Sequence, residues 1–349
     1  MRNARCPARP REILPLGRTA SCARSRASRS RIASVLLLTL VLALRSASAA
    51  AQPDGTVVTR DTVRFSADAR ERFGRFVSAR IGDEDARGVF DRVVVERVLY
   101  LSDGLRIAGY LATPQADSAG AARLPAVIYN RGGTGEFGAL DSVAVAAVLV
   151  PLAARGYAVA ASQYRGTSGS EGHDEYGGAD VADVLALLPL LDAHPRVDPD
   201  RIGMIGMSRG GLMTYLALVQ TDRICAAVVQ GGLSDARALV AARPEMESEV
   251  LSDLVPGWVG ARDAALDARS PVRWAERIAR DTPLLLLHGA ADDRVAPQTA
   301  LAMAGALLTA GRPVRLVLYE GAGHGLSPFR GEAFAETVRW LDRYVRSTP

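Results

Sequence analysis

Residues 201–211, RIGMIGMSRGG, place a serine between glycines at the end of an apolar run. The run reads as a buried strand, and GGLMTYLALVQ after it carries helical spacing. Gly206-Met207-Ser208-Arg209-Gly210 matches G-x-S-x-G and stands where that pattern has meaning, after a strand and before a helix. So tight a turn leaves no room for neighbouring side chains, which forces Ser208 outward at the carboxyl edge of a sheet. Backbone N–H groups at the start of the helix then face any negative charge that develops there.

Outward from this turn the same rhythm repeats. Short runs apolar on both faces follow one another from Leu124: PAVIYN, YAVAASQY, RIGMIGM, ICAAVVQ, PLLLLHG and VRLVLYEG. Helical stretches separate them, including DVADVLALLPLLDAH before the serine strand, QTALAMAGALLTAG after it and GEAFAETVRWLDRYVRS at the end. Such strands predict a mostly parallel central sheet with helices on both faces. Upstream, RVVVERVLYLS and LRIAGYLATP alternate around Asp103-Gly104, which predicts a hairpin forming an antiparallel sheet edge. Residues 233–280 break the rhythm with acidic and proline-bearing segments and read as a lid excursion. Residues 50–92, with Phe73, Phe76, Val77 and Ile81 at helical spacing, read as an N-terminal helical extension to a catalytic domain over 93–349.

The first 49 residues differ from the rest. They hold ten arginines, one glutamate and a 13-residue apolar stretch, IASVLLLTLVLAL, followed by RSASAAAQ. A basic segment, a short apolar core and an A-x-A site at Ala47–Ala49 predict a signal peptide over 1–49. The apolar stretch is too short to span a bilayer comfortably. A periplasmic or secreted protein is therefore expected, without stable membrane insertion once the leader is cleaved. The leader carries +9 against +4 for the whole chain, so the remainder is −5, which argues against a nucleic-acid partner. All 42 basic residues are arginine, so arginine counts by themselves carry little weight. Cys6 and Cys22 precede the cleavage site, leaving Cys225 as a lone and inert core residue. Neither H-E-x-x-H nor a Cys/His cluster occurs, and no metal or other cofactor is expected.

A serine hydroxyl attacks a carbonyl only when a base removes its proton. The chain has four histidines. His194 lies in a helix-to-strand turn on the wrong edge of the sheet, His173 in a polar loop, and His288 at a strand end where an imidazole braces a turn. His324, in YEGAGHGL after the last strand, is the base by elimination and position. The orienting acid belongs between serine and histidine in chain order, and HGAADDRVAP supplies Asp292 and Asp293. Adjacent residues cannot both face one imidazole, so one is catalytic and the other caps or pairs.

The order Ser208, Asp292, His324 and the stretches GMSRGG, HGAADDRV and GAGHGL resemble the catalytic, α/β-hydrolase domain of the prolyl oligopeptidase family of serine peptidases. YRGTSGSEG and EYGGADVADV resemble the family's segment before the nucleophile strand, and the likeness spans roughly residues 95 to 346. The resemblance selects Asp292, three residues before Val295, as the acid. It implies one oxyanion donor at the Arg209 amide and a second among the backbone amides of Arg131 and Gly132, since Arg131 stands where the family often has a tyrosine. At most about fifty residues lie between the leader and the hairpin, which leaves no room for the family's β-propeller. The aromatic residues that line a proline pocket are missing from VVQGGLSDARALV, so cleavage after proline is not implied.

Arg209 and Tyr215 are candidate substrate contacts. Arg209 either binds a substrate carboxylate or forms a salt bridge to the lid or to the EYGG segment. The resulting expectation is an exported serine hydrolase that works through an acyl-enzyme on a peptide or small ester substrate. A peptidase is implied by the resemblance. An esterase using the same residues is the alternative, because the triad does not encode the leaving group.

Overall fold

A computed structural model describes residues 52–115 and 123–347. The leader expected over 1–49 lies outside them. Nine strands hydrogen-bond into one sheet: β1 (Val57–Thr62), β2 (Val93–Ser102), β3 (Leu105–Pro114), β4 (Leu124–Asn130), β5 (Ala158–Ser162), β6 (Val197–Met207), β7 (Ile224–Gln230), β8 (Leu284–Gly289) and β9 (Val314–Tyr319). Their order is β1-β2-β3-β5-β4-β6-β7-β8-β9. The first three pair antiparallel, β3 joins β5 antiparallel, and every pair from β5 through β9 is parallel. The fold is an α/β-hydrolase fold.

The Asp103-Gly104 turn joins β2 to β3 with φ of 50° and 76°. Positive φ at both central residues matches the twist of the two strands. The hairpin is not the edge of the sheet, however. β1 pairs with β2 from Val57 opposite Tyr100 to Thr62 opposite Glu96 and forms the edge itself. The extension over 50–92 is therefore a strand followed by helix α1 (Ala67–Ile81), whose Phe73, Val77 and Ile81 are buried. Ser66 caps α1 by accepting from the Ala69 amide.

Strand residues alternate between two cores. Ala126, Ile128, Leu284 and Leu286 face a cluster filled by α2 (Val181–Leu185), α3 (Leu187–Asp192), α4 (Arg209–Gln220) and the later helix Pro297–Thr309. Val127, Tyr129, Leu285 and Leu287 face the other, filled by α1, a helical stretch over 145–153 and the C-terminal helix Arg330–Leu341. Each buried valine or leucine contributes about 1.5–3 kcal/mol relative to exposure. Double-sided burial is what makes these strands apolar throughout.

The predicted excursion leaves after β7 and returns at β8. It contains α5 (Ala236–Ala242) and α6 (Trp258–Ala268) and builds a third cluster, with Leu239, Val240, Leu251 and Trp258 packed against Tyr176 and Leu212. Arg269 fixes its far end by donating to the backbone carbonyls of Glu175 and Tyr176 at 2.7 and 2.8 Å. Cys225 is buried on β7, and Cys6 and Cys22 lie outside the described residues. No helix among the described residues is long and apolar enough to cross a membrane.

Candidate active site

Ser208 sits between β6 and α4 with φ 55° and ψ −122°. That conformation costs a non-glycine residue about 1–3 kcal/mol and persists only where its surroundings hold it. Here the Ser208 amide donates to the Gln230 carbonyl at 3.0 Å, and the Ser208 carbonyl accepts from Gly211 and Leu233 at 2.9 and 3.1 Å. The glycines of the motif are required by close approach. A Cβ on Gly206 would lie 2.2 Å from the Gly210 carbonyl oxygen, and one on Gly210 only 2.0 Å from that of Asn130. The turn is wedged against the end of β4. The loop after β4 touches the serine itself, since a Cβ on Gly132 would come 3.0 Å from that of Ser208.

His324 Nδ1 lies 2.8 Å from Asp292 Oδ2. Asp292 is buried, while Asp293 is exposed. Asp292 Oδ1 accepts from the amides of Arg294 and Val295, both at 2.9 Å. Burial pushes this carboxyl up, but hydrogen bonds from His288, His324 and the Val295 amide outweigh it and hold the group well below the usual carboxylate range. Asp292 is therefore a carboxylate, so His324 Nδ1 carries the hydrogen that faces it, which in the neutral imidazole leaves the lone pair on Nε2. His288 braces the loop as its position suggests. Its Nε2 faces two acceptors, the Val295 carbonyl at 2.9 Å and Asp292 Oδ2 at 3.2 Å, so it too is the protonated nitrogen. His173 is exposed. His194 lies before β6, at the opposite edge of the sheet, with Nδ1 accepting from the Arg196 amide at 3.3 Å.

Ser208 and His324 line one cavity of about 520 Å³. Its walls are mostly apolar, with Phe137, Leu140 and Val148 from the segment after β4 and Leu239, Met246 and Val250 from the excursion. The excursion thus supplies one wall of the cavity. These residues carry no sequence signature, because separate segments meet only once the sheet has formed.

The two arginines beside the serine are structural. Arg209 is buried between the rings of Tyr164 and Tyr176, with its Cζ 5.2 and 4.6 Å from their centroids. Its Nη1 donates to Asp174 Oδ2 at 2.6 Å and to the Gly133 carbonyl at 3.1 Å, while Nη2 binds both Asp174 and Asp180. Of the two roles open to Arg209, the salt bridge beside the EYGG segment is the one present. Removing this guanidinium would leave two carboxylates buried and unpaired, which costs about 3–5 kcal/mol in comparable buried pairs. Arg131 is buried as well and donates to the carbonyls of Gln163, Gly132 and Gly135, pinning the loop that runs past the serine. Tyr215 is not a substrate contact. It lies on the core face of α4, almost fully buried, and is not among the cavity residues.

The model of the prolyl oligopeptidase family matches residues 143–348, which include all three triad candidates. The chain belongs to the prolyl oligopeptidase family. Membership makes it a serine-type peptidase on an α/β-hydrolase fold. It is 30% identical over 251 residues to the uncharacterized peptidase YtmA of Bacillus subtilis, covering 72% of this chain and 92% of that one. It is likewise 30% identical over 206 residues to dipeptidyl-peptidase 5 of Porphyromonas gingivalis, covering 56% of this chain but 30% of the relative. Among solved structures, a puromycin-hydrolyzing peptidase of Mycobacterium tuberculosis aligns with a TM-score of 0.63 and 27% identity, covering 74% of this chain and 41% of that one. The chain thus spans nearly all of the Bacillus family member and less than half of the other two.

Proposed function

We propose that this family member is an exported peptidase that cleaves amide bonds through an acyl-enzyme on Ser208. The observation that carries the reading is the 2.8 Å contact between His324 and the ionised Asp292 at the cavity that Ser208 also lines. His324 Nε2 takes the proton from Ser208 Oγ as that oxygen attacks the substrate carbonyl. Negative charge then develops on the carbonyl oxygen. The Arg209 amide, at the N-terminus of α4, and the Gly132 amide, on the loop that touches Ser208, are the donors we assign to it. Arg131 serves that loop through its side chain. His324 returns the proton to the departing amine, and water completes the cycle by the same route in reverse.

The reading is tested by comparing hydrolysis of N-acyl aminoacyl arylamides with that of short-chain aryl esters. A peptidase turns over the arylamides as well as the intrinsically more reactive esters. Turnover of the esters alone would replace it with an esterase. Export rests on the leader. N-terminal sequencing of protein secreted by its host should begin at or within a few residues of Ala50, whereas a chain retaining Ile32–Leu44 would mean a membrane anchor.

A further inference from the structure

The cavity has an uneven charge. Among the described residues that line it, none is an aspartate or glutamate, whereas four are arginines: Arg131, Arg209, Arg243 and Arg294. Arg131 and Arg209 are consumed by the carbonyls and carboxylates described above. The other two are not. Arg243, at the end of α5, gives only its Nε to Glu245, at 2.9 Å, and its two Nη groups have no hydrogen-bond partner among the described residues. Arg294, beside the catalytic acid, makes no side-chain hydrogen bond or ion pair among them and rests its Cζ 5.3 Å over the ring of Phe137. Two incompletely paired guanidinium groups, Arg243 half-buried and Arg294 exposed, therefore edge an otherwise mostly apolar chamber.

We propose that this site selects substrates whose acyl portion carries a carboxylate, and that Arg243 and Arg294 are the residues that bind it. The inference rests on the peptidase reading and names its substrate class. A guanidinium presents paired N–H donors that match a carboxylate. A free α-ammonium on the acyl side meets the opposite situation, with cations at the rim and no carboxylate in the chamber to receive it. Peptides with an exposed amino terminus within reach of the site are accordingly poor substrates, and acidic N-acyl groups are favoured.

The test is a series on one leaving group: N-succinyl-, N-acetyl- and unblocked alanine p-nitroanilide. The kcat/KM of the succinyl compound should exceed that of the acetyl compound by about tenfold or more, equal to about 1.4 kcal/mol at least, with the unblocked compound lowest. The succinyl-to-acetyl ratio should fall severalfold in Arg243→Met and in Arg294→Met, be partly kept in Arg243→Lys, and shrink as salt is raised. Fluorophosphonate labelling of each variant reports an intact site. A ratio near one in the native protein, or a ratio that neither methionine variant changes, overturns the inference and leaves the peptidase reading standing. Should no arylamide be turned over, the same comparison is made by protection. N-succinyl-alaninamide should then slow fluorophosphonate labelling at lower concentration than N-acetyl-alaninamide, and equal protection overturns the inference.

Discussion

Ser208→Ala is expected to lower kcat by about 10⁶, the loss seen when the nucleophile of a comparable triad is removed, and to abolish covalent labelling by a fluorophosphonate. The size follows from the geometry. The strained turn holds Ser208 in the cavity that His324 also lines, and water cannot occupy the place of its hydroxyl in the same orientation. The cavity and the backbone amides survive the substitution, so a residual rate above that of water should remain. Stability should change little or rise. Alanine in the same φ/ψ region carries the same backbone strain, and no side-chain hydrogen bond of Ser208 to another described residue is lost. Rate measurement together with labelling and a thermal melt separates these effects. Stoichiometric labelling of the alanine variant would place the nucleophile elsewhere.

The parts of this fold that were legible from the sequence are those whose burial is written residue by residue. β4, β5, β7 and β8 are apolar almost throughout because helices cover both faces, whereas β6 adds a polar VDPDR segment before its apolar run and β9 is only partly buried. The hairpin was legible because Asp103-Gly104 readily adopts the positive φ that a two-residue turn requires at both central positions. β1 was not legible. Its sequence, VVTRDT, is exposed along almost its whole length, so no alternation marks it, and its position is set by backbone pairing to β2. A strand held at an edge by main-chain hydrogen bonds leaves little trace in side-chain pattern.

The same distinction separates the legible from the hidden parts of the site. Ser208 was legible because its turn imposes glycines at fixed spacing. His324 and the Asp292–Asp293 pair were legible because the chemistry requires a base and an acid at strand ends, and few residues qualify. The sequence does not decide the role of Arg209, because its partners, Asp174 and Asp180, lie some thirty residues upstream and meet it only when their loop folds over α4. Tyr215 differs from its expected position for a related reason. Helical spacing assigns it to α4, but only the packing shows that this face of the helix turns inward to the core.

The neighbouring carboxylates give the second large effect. Asp292→Asn should lower kcat by about 10⁴, the cost of the equivalent change in a comparable triad, while Asp293→Asn should leave it within about twofold. Asp292 holds His324 in the tautomer whose Nε2 can accept a proton; an amide in its place can donate to Nδ1 and favour the wrong tautomer. Asp293 is exposed and makes no such contact. Stability distinguishes the pair as well. Asp292 has a folded-state pKa below its unfolded value, so it contributes stability that is present above the unfolded carboxylate pKa and lost as pH falls through the folded one. Denaturant titrations at neutral and acidic pH should therefore show a loss for Asp292→Asn at neutral pH that narrows as the solution is acidified below the ordinary carboxylate range. Asp293→Asn should show no such convergence. A larger loss of rate at Asp293 than at Asp292, or equal stability of both variants across the pH range, would remove Asp292 from the triad and with it the assignment of His324 Nε2 as the base.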